Sequence, residues 1–292
     1  MDKLVSALEK FRAFKNHLMG INNNLFTLWI SDNRELPELQ YLSLKSMLLT
    51  GHNVTLYTYN KLNNIPEGIN VADANEILNK SKIFKYRNGF NSGSYAGFSD
   101  WFRIKCLYEN GTAWFDCDIL AIKNINDFSL NDIIISSEYY HDGNIQPNNG
   151  FLKFKKKDKL VKDYLDYIEN IEDIENNVLH GELGPKLIKS MLDNTFSEYY
   201  DYLMNPNFIA PIHYFNYEHY LMPSNEIVGK LKFDEIWGFH ILNSMFRHYK
   251  VELKRVNSGF YYDLKEIIIT SSTKKEYKGK ILDLISLNNL KN

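Results

Sequence analysis

Residues 111–120 read Gly-Thr-Ala-Trp-Phe-Asp-Cys-Asp-Ile-Leu, and the interpretation of the whole chain depends on them. The short apolar run from Ala113 to Phe115 follows an Asn-Gly turn signal and predicts a buried strand. Asp116 and Asp118 come two positions apart where that strand ends. Because residues i and i+2 of an extended chain point to the same side, we expect the two carboxylates to converge on one spot.

Two converging carboxylates need a counter-charge. At roughly 4 Å and an effective dielectric constant near 20 they repel by about 4 kcal/mol, which a divalent cation or an arginine would remove. We interpret the pair as the site of a hard cation, Mg²⁺ or Mn²⁺, that bridges the carboxylates and a diphosphate. The alternative is that Asp116 only ends the strand and that Asp118 caps a turn.

The composition excludes several classes of protein. The chain has 292 residues, 44% of them hydrophobic, and a formal net charge of −2, which allows a sizeable core and gives no overall field for nucleic acid. Only Cys106 and Cys117 are present, so a disulfide scaffold and a cysteine zinc site are excluded. With neither a signal-peptide pattern nor an apolar run of about 20 residues, we expect a cytoplasmic protein.

Residues 1–20 stand apart from the rest of the sequence. Apolar residues at near-helical spacing alternate with lysine and arginine over residues 2–19 and predict a basic amphipathic helix that ends at Gly20. This helix either packs on the body of the protein or makes a weak contact with a partner or with the inner face of a membrane. Residues 21–292 show no repeat and no break in composition, so we expect a single domain there.

Beyond the N-terminal helix the chain opens as strand, helix and strand. Residues 25–30 and 54–59 predict the strands, and a helix is expected to start at Pro37. This order is typical of an α/β fold with a parallel sheet and helices on its faces. Ligands of such sheets lie beyond the carboxyl ends of the strands, and Trp29 and Asp116 both fall at such ends.

A glycine-rich loop over residues 88–97 precedes a second helix. We expect this helix to run from Asp100 to Asn110, with Ser99 as its N-cap. Asp100 would then lie in the first turn, one turn before Arg103 on the same face. The two residues form either a plain ion pair at a helix start or part of a site that binds ribose and base.

Two later segments carry further polar candidates. A strand over residues 133–137 ends at Glu138, which is either an acidic group on the acceptor side of a site or a surface residue. Residues 147–150 predict a turn, in which Asn148 and Asn149 either bind acceptor hydroxyls or only make the turn.

Taken in order, these segments resemble the conserved block of DXD-type glycosyltransferases. The matching stretches are 98–103 (Phe-Ser-Asp-Trp-Phe-Arg), 107–111 (Leu-Tyr-Glu-Asn-Gly), 114–118 (Trp-Phe-Asp-Cys-Asp), 183–187 (Leu-Gly-Pro-Lys-Leu) and 240–243 (His-Ile-Leu-Asn). The relatives are bacterial capsular-polysaccharide transferases, α-1,4-galactosyl- and α-1,4-N-acetylglucosaminyltransferases and, more distantly, clostridial toxin glucosyltransferase domains. Thr112 departs from the pattern, because the family usually has a second glycine there.

The resemblance implies a GT-A fold and a retaining transfer from a nucleotide sugar, with a UDP-sugar favoured, to a glycan acceptor in capsule or lipopolysaccharide synthesis. It implies that Trp29 stacks on the uracil of the donor, that Asp100 and Arg103 lie around its ribose and sugar, and that Asp116 contacts the sugar or ribose, with Ser99 and Asn149 as further candidates for donor binding. It assigns Mn²⁺ or Mg²⁺ to Asp118 and Asp116, with His240 or Asn243 closing the metal or diphosphate site from the far side. The candidate catalytic residues are Asp116, Asp118 and Glu138.

Two other functions stay open from the sequence. A metal-dependent phosphohydrolase would use the same aspartates, although such enzymes usually need more ligands and the chain has no H-x-H or D-x-H cluster. A non-catalytic module that binds carbohydrate or nucleotide would use the abundant aromatic residues, among them 20 tyrosines and 18 phenylalanines.

Overall fold

A computed structural model describes residues 24–89, 92–128 and 131–286, without the side chains of residues 127 and 128. The strands are β1 (Asn24–Trp29), β2 (Asn53–Thr58), β3 (Asn70–Asp73), β4 (Thr112–Phe115), β5 (Ile119–Ala121), β6 (Ile134–Tyr139), β7 (Ile145–Phe154) and β8 (Gly238–His240). The α-helices of these residues are α1 (Glu38–Leu49), α2 (Ala96–Asn110), α3 (Ile125–Phe128), α4 (Lys159–Glu169), α5 (Ile174–Asn177), α6 (Pro185–Asn194), α7 (Ser224–Ile227), α8 (Asn243–His248), α9 (Phe260–Thr270) and α10 (Lys274–Ser286). None of these helices is long and apolar enough to span a bilayer. The helix predicted over residues 1–20, with its membrane or partner contact, lies outside the described residues.

Six strands form a mixed sheet in the order β3-β2-β1-β4-β7-β6. Neighbouring strands are parallel in the part of the sheet formed by β3, β2, β1 and β4. The strand β7 is antiparallel to both of its neighbours, β4 and β6. The strands β5 and β8 form a separate antiparallel pair. The parallel half follows from the strand–helix–strand opening, because a parallel pair needs a crossover connection.

Helices cover both faces of this sheet. On β1, Phe26 and Leu28 pack into one hydrophobic cluster with residues of α2, α4 and α6, while Leu25 packs into another with Leu44 and Met47 of α1. This alternation follows from the period of two along a strand, and the burial of both faces explains the nearly continuous apolar sequence of β1. The predicted α/β class, a mixed sheet flanked by helices, is confirmed.

The second helix starts earlier than predicted. It begins at Ala96, so Ser99 is not an N-cap and Asp100 does not lie in the first turn. Gly97 lies inside the helix, and a Cβ atom at that position would come within 2.8 Å of the Tyr86 ring. Gly97 therefore allows the helix to pack closely against a ring from a preceding segment. It does not belong to the glycine-rich loop that the sequence predicted over residues 88–97.

The turn predicted over residues 147–150 is also wrong. These residues lie within β7, and the reversal lies earlier, where the Tyr140 N–H donates to the carbonyl of Asn144. The strand tolerates Pro147 because the pairing of β6 and β7 shifts register between Ile135 and Ser137, and Pro147 is paired at that irregularity. The residues Asn148, Asn149 and Gly150 contribute to the group of polar contacts at the end of β4, and this explains the Asn-Asn-Gly composition.

Candidate functional site

The two aspartates of the central motif lie at the carboxyl end of β4. The Asp116 N–H donates to the carbonyl of Gly150 at 2.8 Å, and the carbonyl of Asp116 accepts from the Ile119 N–H at 3.1 Å, which closes the turn into β5. Cys117 points into the core, where its Sγ lies 3.0 Å from the Thr27 hydroxyl. The alternation around Cys117 leaves both carboxylates on the outer side of the turn.

His240 joins the aspartates to form a three-ligand group. One ligand atom each from Asp116, Asp118 and His240 can be chosen so that all three lie within 4.8 Å of one another. The imidazole Nε2 lies 3.2 Å from Asp118 Oδ1. The pairing of β5 with β8 sets Ile119 opposite His240, so the short second sheet brings the distant histidine to the motif. The hydroxyl of the buried Tyr220 donates to the carbonyl of His240 at 2.8 Å and fixes this strand from the other side.

Asp116 is held by groups from α2 and β4. One of its oxygens, Oδ1, accepts from Arg103 Nη2 at 2.6 Å and from Trp114 Nε1 at 3.0 Å. The guanidinium of Arg103 also donates to the carbonyl of Asn149 at 2.6 Å and is only 4% exposed. The other oxygen of Asp116 bonds to none of the described residues, and a quarter of this side chain remains exposed. Asp116 is therefore fixed through one oxygen and accessible through the other.

A second layer of buried polar groups supports Arg103. Asp100 lies 3.3 Å from the guanidinium and accepts from Asn149 Nδ2 at 2.7 Å. Gly184, before α6, packs so closely that a Cβ atom would come within 2.6 Å of that same amide nitrogen. The hydroxyl of Tyr164 donates to the carbonyl of Leu183 at 2.6 Å and so holds this glycine in place. The Asp100–Arg103 ion pair that the spacing predicted is therefore present, as part of a network that ends on Asp116.

The two aspartates have opposite electrostatic environments. Burial raises the pKa of Asp116, and the charge of Arg103 opposes this only in part. Burial acts on Asp118 in the same direction, but the charge and hydrogen bond of His240 and the backbone N–H of Asn243 outweigh it, so the pKa of Asp118 is lowered. Burial alone would lower the pKa of His240, and the charge and hydrogen bond of Asp118 raise it to about 9. In this state an imidazolium fills the role of a cation beside Asp118.

The donor set fits a hard divalent cation. The two carboxylates are oxygen ligands that Mn²⁺ and Mg²⁺ sites use, and water or phosphate oxygens would fill further positions. The imidazole is a ligand more typical of transition metals and favours Mn²⁺ over Mg²⁺. The Nδ1 atom of His240 is buried and has no hydrogen-bond partner among the described residues, which is uncommon for a polar atom in a completed site. The free oxygen of Asp116 and the partial exposure of Asp118 leave room for such an ion.

Other predicted residues lie around this group in different ways. Trp29 ends β1 at the same edge of the sheet, and its buried Nε1 has no partner among the described residues. Asn243 contacts Asp118 through its backbone N–H at 3.3 Å. Ser99 lies inside α2, where its N–H bonds the carbonyl of Tyr95. Glu138 lies within β6 and interacts electrostatically with His240.

Some contributing residues were not predicted as parts of the site. Trp114 was assigned to the core, although its indole bonds Asp116; the i, i+2 relation of the two residues on one strand was the available signal. Gly150 was assigned to a turn, yet its carbonyl anchors Asp116 and a Cβ atom there would lie 3.5 Å from the His240 ring. Tyr220 lies in a segment rich in aromatic residues, and no local pattern distinguishes it.

Comparisons with known proteins give weak similarities. No protein-family model and no curated protein matches the chain. Among solved structures, a PaToxG glycosyltransferase aligns with 98% of this chain and 95% of its own, with 15% identity and a TM-score of 0.40. A transferase mutant in which two cysteines are replaced by serine aligns with 61% of this chain and 88% of its own, with 11% identity and a TM-score of 0.38. The catalytic domain of alpha-toxin from Clostridium novyi aligns with 91% of this chain and 73% of its own, with 11% identity and a TM-score of 0.33. Similarities of this size carry no conclusion about activity, so the function has to be argued from the site.

Proposed function

We propose that this chain is a glycosyltransferase that moves a sugar from a nucleotide-sugar donor, with a UDP-sugar favoured, to a glycan acceptor. The observation that carries the proposal is the convergence of Asp116, Asp118 and His240 within 4.8 Å at the carboxyl edge of the parallel strands. Ligands of open α/β sheets bind at this edge. A retaining outcome and a place in bacterial surface-glycan synthesis are supported by the resemblance of the motifs alone.

The chemistry of the reaction explains why such a group is needed. Breaking a bond between a sugar and a diphosphate leaves extra negative charge on the diphosphate, and stabilising that charge is the largest catalytic requirement. A cation held by Asp116, Asp118 and His240 would supply Lewis-acid stabilisation of this leaving group. Arg103 keeps one oxygen of Asp116 engaged, so that the carboxylate presents the other. The backbone N–H of Asn243 similarly orients Asp118.

The remaining candidates divide between the donor and the acceptor. We propose that Trp29 offers its ring to the base and that Asp100 and Arg103 contact the ribose and sugar. Ser99 and Asn149 are further candidates for contacts with the donor. Without a ligand, the polar atoms of Asp100 and Arg103 bond to Asn149 and Asp116. Glu138 is proposed on the acceptor side. We favour transfer over phosphate hydrolysis because the described residues hold one three-ligand group, fewer ligands than a two-metal hydrolase uses.

The proposal is tested by ligand-dependent thermal stability. We expect UDP and Mn²⁺ together to raise the melting temperature, and neither alone to match that shift. The substitution Asp118→Asn should weaken Mn²⁺-dependent UDP binding at least 100-fold while leaving the melting temperature without ligand within a few degrees. A matched control is Asp142→Asn, which alters an exposed aspartate in the β6–β7 turn.

The assay for activity uses a panel of UDP- and GDP-sugars with Mn²⁺ and follows the slow hydrolysis of each donor. Wild-type protein should hydrolyse at least one donor, and Asp118→Asn should not. Metal-dependent UDP binding that survives in Asp118→Asn would show that the cation is held elsewhere. Hydrolysis of none of the donors, together with no UDP-dependent stabilisation, would reject the proposed function.

A further inference from the structure

Glu138 is a partly buried carboxylate whose hydrogen-bond partners are neutral side chains. It lies opposite Gln146 in the β6–β7 pairing, and Gln146 Nε2 donates to its Oε1 at 3.1 Å. No lysine or arginine in the described ranges forms an ion pair with it. Burial raises its pKa, and the charge of His240 and hydrogen bonds from Asn148 and Gln146 oppose that rise. Glu138 thus lies within electrostatic reach of the three-ligand group without being part of it.

Aromatic side chains surround the end of the strand that carries Glu138. We call them the ring cluster: Tyr139, Tyr140, His213, Tyr214 and Phe215. The ring centroids of Tyr139 and His213 are 4.6 Å apart, and the His213 ring stacks on Phe215 at 5.0 Å with an interplanar angle of 3°. Phe215 also meets Tyr214 edge-on at 5.0 Å.

The ring cluster is contiguous with Glu138 and open to solvent. The carboxylate of Glu138 and the phenol of Tyr140 both lie close enough to Tyr214 to raise its pKa, after burial, which is the largest cause. Tyr140 and Phe215 remain 38% and 44% exposed. Glu138 directly precedes Tyr139, the last residue of β6, and the Tyr139 ring contacts His213 of the ring cluster. The exposed ring cluster therefore begins beside Glu138.

The chemistry of Glu138 and the ring cluster selects one class of ligand. A carboxylate accepts hydrogen bonds from hydroxyl groups, and such charge-assisted bonds are strong. Aromatic faces remove the apolar C–H face of a sugar ring from water. Glu138 forms no ion pair with a lysine or arginine of the described residues, so its charge would disfavour a phosphate group placed directly against it.

We propose that Glu138 and the ring cluster form the acceptor subsite, and that the acceptor is a neutral saccharide whose ring packs on Tyr140 and Phe215 while a hydroxyl bonds Glu138. This inference rests on the proposed transferase function and specifies its second substrate. In the transfer, the bond from the anomeric carbon to the diphosphate oxygen breaks. A bond to the acceptor hydroxyl oxygen forms, and the hydroxyl proton leaves to the diphosphate or to solvent. The subsite binds and orients that hydroxyl.

The test measures two rates with the donor that wild-type protein hydrolyses, in the presence of Mn²⁺. One rate is donor hydrolysis in water, and the other is transfer to methyl glycosides of glucose, galactose, mannose and N-acetylglucosamine. At least one neutral glycoside should be converted to a disaccharide. The variants Tyr140→Ala and Phe215→Ala should each raise the KM for that glycoside about tenfold and lower the ratio of transfer to hydrolysis in proportion. Tyr167→Ala, which removes a ring that is 55% exposed on α4, serves as the matched control and should change neither rate.

The role of Glu138 is tested separately through charge. The methyl glycoside 6-phosphate of the accepted sugar should be a poorer acceptor than the neutral sugar in wild-type protein. In Glu138→Gln the ratio of the transfer rate with the neutral sugar to the transfer rate with its 6-phosphate should fall at least fivefold. The substitution removes the charge repulsion and keeps the shape of the side chain.

The outcomes distinguish the inference from the proposed function. Donor hydrolysis by wild-type protein without transfer to any neutral glycoside would overturn the acceptor subsite and leave the transferase proposal standing. Equal losses of hydrolysis and transfer in Phe215→Ala would show that the ring cluster only supports the fold, and an unchanged KM would exclude it from acceptor binding. Absence of any donor hydrolysis and of UDP binding would overturn both proposals.

Discussion

Asp116 and Asp118 are two residues apart, yet they belong to two differently built halves of the site. The half around Asp116 consists of Arg103, Asp100 and Asn149, from α2 and β7, which are joined by hydrogen bonds and nearly excluded from solvent. The half around Asp118 consists of His240 and the backbone of Asn243, from the C-terminal part of the chain.

The difference between the halves lies in the kind of positive charge each uses. A guanidinium keeps its charge at any physiological pH, so the contact of Arg103 with Asp116 is permanent and contributes to the fold. An imidazolium can lose its proton and become a metal ligand, so the contact of His240 with Asp118 is exchangeable. We infer that the first half positions the site, with Asp116 presenting its free oxygen to the cation, and that in the second half His240 exchanges its proton for the cation. The predictions below test this division.

The largest expected effect on stability comes from Arg103→Met. The variant leaves the carboxylates of Asp100 and Asp116 buried without their shared cation, and breaking a buried ion pair in this way costs about 3–5 kcal/mol. We expect that loss in the free energy of unfolding, measured by urea denaturation. Arg87→Met is the matched control, because the Arg87–Glu175 ion pair is exposed and such pairs contribute about 0–1 kcal/mol. Equal losses in the two variants would contradict the structural role of Arg103.

The complementary prediction concerns His240→Ala. Removing a ligand of the cation should weaken Mn²⁺-dependent UDP binding about 100-fold, which corresponds to roughly 2.7 kcal/mol. The free energy of unfolding should change far less than in Arg103→Met, because Asp118 keeps its bond to the Asn243 N–H and is 19% exposed to solvent. Calorimetric titration of UDP with and without Mn²⁺ measures the first effect, and urea denaturation measures the second.

His219→Ala provides the control for this variant, since His219 is half-buried and lies outside the three-ligand group. The division between the halves would be wrong if His240→Ala lowered the free energy of unfolding as much as Arg103→Met does and left metal-dependent UDP binding intact.

The half around Asp116 was largely predictable because its signals are local. The apolar run of β4, the Asp-x-Asp spacing and the Asp100–Arg103 spacing each follow from the period of a strand or a helix. The start of α2 was not predictable in this way. Gly97 lies inside the helix, where the Tyr86 ring occupies the space that a Cβ atom would need. The reason for a glycine at this position is therefore a tertiary contact, which the local sequence does not reveal.

The half around Asp118 depends on contacts that no local pattern encodes. Asn243 bonds Asp118 across 125 positions of sequence, and His240 is brought there by a strand of only three residues. The resemblance to a known motif indicated His240, whereas periodicity did not. The edge strand β3 was missed for a related reason, because its exposed residues Asn70–Asp73 show no buried face. The predicted roles of the site residues in binding and catalysis remain predictions.

A smaller effect is expected from relief of backbone strain at Thr112→Gly. Thr112 starts β4 with a φ of 71°, a conformation that glycine adopts at little cost, and this explains why a second glycine is usual at this position of the resembling motif. We expect the free energy of unfolding to rise by about 1 kcal/mol, with Mn²⁺-dependent UDP binding unchanged. Thr112→Ala separates the contributions, because it keeps the strain and removes the two hydrogen bonds of the hydroxyl, which donates to the carbonyl of Asn24 and accepts from the Ala113 N–H.

The corresponding residue of the other half behaves differently. Leu242 precedes α8 with a φ of 57° and is buried, so Leu242→Gly would exchange strain for a lost apolar contact and should be destabilising. If Thr112→Gly were also destabilising, the strain at the start of β4 would be smaller than its φ indicates.

The last predicted effect is of similar size and contrasts His240 with His52, a buried histidine of the described residues. Burial lowers the pKa of His52 to about 4, and its Nε2 accepts from the Ile125 N–H at 3.0 Å, which only a neutral ring can do. Because the unfolded chain has a histidine pKa near 6.5, it binds more protons than the folded protein between these values. The stability contributed by neutral His52 is therefore complete above pH 6.5 and is lost as the pH falls toward 4. Between pH 7 and pH 5.5 this loss should be about 1 kcal/mol, measured as the change in the difference between wild-type and His52→Gln unfolding free energies. A difference that stays constant over this range would mean that His52 is not held neutral, and the contrast between a structural and an exchangeable histidine would then lose its first member.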